Sequence, residues 1–64
     1  MKPGDKVIPT WEYRDDHPPM EVVTVASLPD GLGSAVTVRD DYGNLMIMLL
    51  RKLQPYETAP RRPT

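Results

Sequence analysis

His17 is the one histidine of the chain, and Asp15 and Asp16 stand directly before it. A carboxylate beside an imidazole is the pairing on which general acid–base chemistry or a metal site draws. Either use needs further ligands converging from elsewhere, and there is no second histidine and no cysteine to supply them. His17 therefore reads as an ordinary exposed loop histidine. Ser27 and Ser34 lie on a strand and a turn, outside any nucleophile-elbow spacing, so serine nucleophilic chemistry has no support. Without cysteine, thiol catalysis and cysteine zinc sites are excluded. The expectation is a non-enzyme with no catalytic residue, metal ligand or cofactor.

Residues suited to binding are more numerous. Trp11, Tyr13 and Tyr42 could stack on or cradle a ligand, with Asp15, Asp16, Asp40 and Asp41 nearby in sequence. The acidic pairs also serve turns, because aspartate bonds its own backbone readily. Arg51 and Lys52 form a basic pair of the kind that touches phosphate, and Pro60-Arg61-Arg62-Pro63 has Pro-x-x-Pro spacing. The most telling stretch is Leu45-Met46-Ile47-Met48-Leu49-Leu50, apolar at every position. Side chains of a strand alternate between faces, so if Leu45, Ile47 and Leu49 fill a core, then Met46, Met48 and Leu50 make an exposed apolar strip, the signature of an interface. Partner-binding residues are thus expected at Trp11, Tyr13, Tyr42, Met46, Met48 and Leu50.

The elements that must position these groups centre on residues 20–40. Val22, Val23, Thr24 and Val25 form a β-branched arm, and Ala35-Val36-Thr37-Val38-Arg39 alternates as a half-buried strand does. Pro29, Asp30, Gly31 and Gly33 between them reverse the chain, giving a β-hairpin. Before it, Lys6-Val7-Ile8 opens a strand that Pro9 marks as an edge or an end, with Val7 inward. Trp11-Glu12-Tyr13 continues extended, and 14–19 is a polar loop closed by two prolines. After the hairpin, Asp40–Asn44 is a second reversal leading into the apolar strand. Leu53 anchors a short closing segment that can pair with the first strand. Residues 57–64 offer almost nothing to bury and are expected to be disordered, which places a domain over 1–56 and a Pro/Arg tail over 57–64.

Composition agrees with this layout. Eight prolines and four glycines in 64 residues leave little room for an ordinary helix, so the chain reads as all-β. A chain of this length buries only about 60% of its unfolded surface and is correspondingly marginal. Net charge is −1, so phosphate backbones exert no general attraction. Residues 1–56 hold six Lys/Arg against eight Asp/Glu, net −2, and 57–64 hold two arginines against one glutamate, net +1. Met-Lys-Pro-Gly-Asp-Lys lacks the apolar run of a signal peptide, and no apolar run exceeds six residues. Together with the absence of cysteine, this reads as a soluble, cytoplasmic protein.

The Pro-Gly-Asp-Lys-Val start, the charged loop, the long Glu-Val-Val-Thr-Val-Ala-Ser-Leu strand, two tight turns and the Leu-Gln-Pro-Tyr close resemble the small SH3-like barrels. Within that group the layout is similar to KOW-type modules of ribosomal and transcription proteins. Glu21–Ser27 and Val36–Arg39 also look like the ferredoxin-docking subunit of photosystem I. Val23 departs from these families, which commonly place a glycine there, and the Asn/Gly-rich loops of the photosystem subunit are absent. The tandem tryptophans and Ala-Leu-Tyr-Asp-Tyr start of signalling SH3 domains are missing as well. The resemblance implies a five-stranded SH3-like barrel over residues 3–56. Two functions fit it: a module binding a protein partner, a second copy included, and a KOW-like nucleic-acid or ribonucleoprotein accessory. A salt titration separates them, because phosphate contacts weaken steeply with salt.

Overall fold

A computed structural model describes residues 1–63. Five strands, β1 (Lys6–Pro9), β2 (Met20–Ser27), β3 (Ser34–Arg39), β4 (Leu45–Leu49) and β5 (Leu53–Pro55), form one antiparallel sheet in the order β4-β3-β2-β1-β5. Single 3₁₀ turns cover Pro29–Gly31 and Leu50–Lys52, and there is no α-helix among the described residues.

The expected hairpin is β2 and β3, paired from Glu21↔Arg39 to Ser27↔Ser34. Its turn uses Asp30 at φ 57°, followed by Gly31 at φ 72° and, two residues on, Gly33 at φ 94°. Aspartate tolerates the left-handed region better than most residues, and glycine has no Cβ to clash there. Leu28 N–H donates to the Gly33 carbonyl at 2.8 Å and closes the loop. At the second reversal Asp40 Oδ1 accepts from the Tyr42 and Asn44 N–H groups at 2.9 and 2.8 Å, so this aspartate is a turn residue. The closing segment pairs with the first strand as expected, in the register Ile8↔Gln54.

Directly opposed residues in antiparallel strands share a face, which fixes the two sides of the sheet. Val7 opposes Met20, Val22 opposes Val38, and Val36 opposes both Val25 and Met48. Val7, Met20, Val22, Val36, Val38 and Leu53 make one buried cluster, with Met48 and Leu50 packed against it. All five strands thus contribute to one apolar interior. A flat sheet would hold β4 and β5 about 19 Å apart, four spacings of roughly 4.8 Å, so this sheet curls around its core. It does not close: β4 and β5 are its two edges.

Two local features had no signal in the sequence. Register slips between Val22 and Thr24, leaving Val23 as a bulge. An extra residue in one strand reverses the parity beyond it, so the residue on the core side of the sheet there is Val25, opposite Val36, although Val25 itself stays exposed. The chain also turns at residues 9–12 and 13–16 instead of running extended through Trp11-Glu12-Tyr13: Glu12 N–H donates to the Pro9 carbonyl, and Asp16 N–H to the Tyr13 carbonyl.

Contacts continue past residue 56. Ala59 is buried, Arg14 N–H donates to the Pro60 carbonyl at 3.0 Å, and Arg14 Nη1 donates to the Glu57 carbonyl at 3.3 Å. The segment is expected to offer almost nothing to bury, and Ala59 is its one buried residue among those described; its other contacts are made by the backbone and by the Arg62 side chain. Thr64, the last residue of the expected tail, lies outside the described residues. No described helix is long and apolar enough to cross a membrane.

Candidate functional site

The register of β3 and β4 settles which side of the apolar strand faces out. Met46 opposes Val38 and Met48 opposes Val36, both fully buried, so the methionines lie on the core side. Leu45, Ile47 and Leu49 oppose Arg39, Thr37 and Ala35 on the other face. Leu45 is 60% exposed and Ile47 73% exposed. The strand therefore has the opposite orientation to the one expected, and the outward strip is Leu45, Ile47 and Leu49. Met48 and Leu50 pack against the core cluster, while Met46, nearer the start of the strand, stays 43% exposed.

β4 is also an edge. One side of its backbone is paired to β3 and the other is free. Edge strands are commonly protected by a charge, a proline, a bulge or a covering loop. None of the five β4 residues is charged or proline, and its pairing runs without a register shift. The opposite edge is handled differently. β5 is three residues long, ends in Pro55, and is flanked by bonds from Thr10 N–H to the Lys52 carbonyl and from Tyr56 N–H to the Lys6 carbonyl.

The aromatic residues do not join this strip. Trp11 and Tyr13 lie in the 10–19 loop after β1, exposed but apart from β4. Tyr42 stands at the tip of the β3–β4 turn, 86% exposed and thus packed on almost nothing. In the same loop, Asp15 Oδ2 accepts from Arg62 N–H at 3.2 Å, and the Asp16 carboxylate pairs with the Arg62 guanidinium, Nε to Oδ2 at 3.0 Å. The Asp16 hydrogen bond, with the charges of both aspartates, pushes the Arg62 pKa up from its ordinary value. His17 Nδ1 sits 2.7 Å from the Pro18 carbonyl. Among the described residues no three His, Asp or Glu side chains gather as a metal group.

Two hollows lie near these elements. One of about 440 Å³ is floored by Val7, Leu50 and Leu53 and rimmed by Asp5, Lys6 and Glu57. A smaller one, about 280 Å³, lies between Leu32 of the β2–β3 turn and Leu49, Leu50 and Arg51. Leu50 serves both, which makes this expected partner residue a wall of each hollow and a support of the core at once.

No family model, curated protein or solved structure matches the chain.

Proposed function

We propose that this chain is a small non-enzymatic binding module acting through protein–protein contacts, on an open variant of the SH3-like barrel. The observation that carries the reading is β4, an unprotected sheet edge whose outer face is apolar from Leu45 to Leu49. An exposed apolar edge offers a partner both backbone hydrogen bonds and side-chain burial, the two components of strand addition. The fold assignment is supported by the curl of the sheet, the bulge in its long second strand, and the return of β5 to pair with β1.

The 10–19 loop supports the same class of function by a second contact. Its aspartates hold an arginine that lies between prolines, within the chain itself, so a basic proline-bearing segment is the chemistry this loop accepts. The nucleic-acid alternative has less behind it, since Arg51 and Lys52 are the one adjacent basic pair in residues 1–56, which carry net charge −2.

The reading is tested by immobilising the wild type and Ile47→Lys, after showing equal melting temperatures, and exposing both to the pure protein and to host extract. Retention of a protein by the wild type and its loss in Ile47→Lys is the expected result. Equal retention by both, or retention only of nucleic acid released by salt, would overturn it.

A further inference from the structure

We infer that the occupant of the β4 edge is a second copy of this chain, paired antiparallel about a two-fold axis through Ile47, so that two five-stranded sheets join as one. This rests on the protein-contact reading and names its partner. The first argument is self-complementarity. With Ile47 opposite Ile47, Leu45 meets Leu49 and Met46 meets Met48 of the second copy, so every cross-strand pair is apolar. Leu45, Ile47 and Leu49 of both copies then form one continuous patch on the outer face. An isologous contact closes after two subunits and leaves no β4 edge for a third.

Charge argues for the same occupant and chooses the direction. The turn that leads into β4 carries Asp40 and Asp41, and the 3₁₀ turn that leaves it carries Arg51 and Lys52. Asp40 spends one oxygen on its own turn, but Asp41, Arg51 and Lys52 are exposed and enter no ion pair among the described residues. The edge is therefore acidic at one end and basic at the other. In the antiparallel register Gly43 stands opposite Arg51 of the second copy, which brings the acidic turn of each copy beside the basic turn of the other, twice. Parallel pairing would set acid against acid and base against base, and like charges in contact disfavour it. A five-residue edge is small beside the roughly 800 Å² per partner of a standard interface, so the dimer is weak and concentration-dependent.

Light scattering and sedimentation of the full chain over a dilution series give the test. Wild type should pass from monomer to dimer and stop there. Ile47→Lys, whose side chain is exposed in the monomer, should stay monomeric with its melting temperature unchanged. Asp41→Lys and Arg51→Glu should each associate at least tenfold more weakly than wild type, since each places like charges together. Their equimolar mixture should regain most of the lost affinity, because the introduced lysine then meets the introduced glutamate while the native pair survives at the other end. Absence of that rescue, or mass growing beyond a dimer, would overturn the antiparallel pairing. A wild type that stays monomeric yet retains a host protein through Ile47 would overturn the second copy alone. One that is monomeric and retains nothing would overturn the binding reading with it.

Discussion

Ile47 and Met48 are neighbours in sequence with opposite surroundings, one 73% exposed on the outer face and the other packed on the core. Lysine at each position separates the two faces. Ile47→Lys should change stability by no more than about 0.5 kcal/mol, as surface changes do, whereas Met48→Lys should cost about 2–4 kcal/mol by removing packing and bringing a charge to the core. Urea denaturation of both variants measures the difference, and a reversed order would mean that β4 presents its other face. Asp40 is a second informative residue. Its Oδ1 satisfies two backbone N–H groups at an exposed turn, so Asp40→Ala should lose about 1 kcal/mol, with the loss visible as a lower denaturation midpoint at unchanged m-value. The salt bridges of Glu21 with Lys6 and Arg39, at 3.8 and 4.0 Å between half-exposed side chains, contribute little by comparison.

Among the elements, the β2–β3 hairpin is uneven. Val22 and Val38 near its base and Val36 farther along the β3 arm are in the core, while Thr24–Ser27 of the β2 arm, beyond the bulge, are exposed. Amide exchange should follow that division, slowest at Val22, Val36 and Val38 and faster along 24–27, because Thr24–Ser27 bury little apolar surface while Val36 is also held by Met48 of β4. Uniform protection over the whole hairpin would mean that something covers its outer half. The segment after β5 makes its own prediction. Truncation after Tyr56 removes the burial of Ala59 and the Arg14–Pro60 bond, so it should cost about 1–2 kcal/mol. Arg62→Ala removes only a solvent-exposed ion pair and should lower the melting temperature less than the truncation does. Thermal denaturation of the two variants checks both, and a truncation as stable as the full chain would show that 57–63 adds nothing to the fold.

At the scale of the whole molecule, extents of 42 × 25 × 15 Å describe a long, thin body for so short a chain. Eight residues carry the apolar interior of the curled sheet, and Ile8 and Ala59 are buried outside that cluster. Ile8 shares its face with Gln54, whose side-chain amide donates to the Pro9 and Glu12 carbonyls at 3.1 Å, so the start of the 10–19 loop folds over that side of β1. The sheet is thus covered on both faces near β1 and β5 and bare on its outer face near β3 and β4. That asymmetry concentrates the unburied apolar surface at one edge, where pairing with another molecule relieves it.

Local residue preferences set the turns and most of the strands between them. Pro29, Asp30, Gly31, Gly33, Asp40 and Gly43 act through φ preferences and local hydrogen bonds, which need no distant partner, so the hairpin, the second reversal, the inward Val7 and the closing segment were all legible. The face of β4 was set by long-range pairing. In a strand apolar at every position alternation carries no information, and the choice between Ile47 and Met48 falls to the register with Val36 and Val38 on β3. The bulge at Val23 was hidden for the same reason, since four β-branched residues in a row read equally well in either parity. The docking of residues 57–63 rests on Glu57 and Pro60 as backbone acceptors, on one small side chain at Ala59 and on Arg62 against Asp15 and Asp16. Such contacts depend on where the 10–19 loop comes to lie, and that is fixed only when β1 pairs with both β2 and β5.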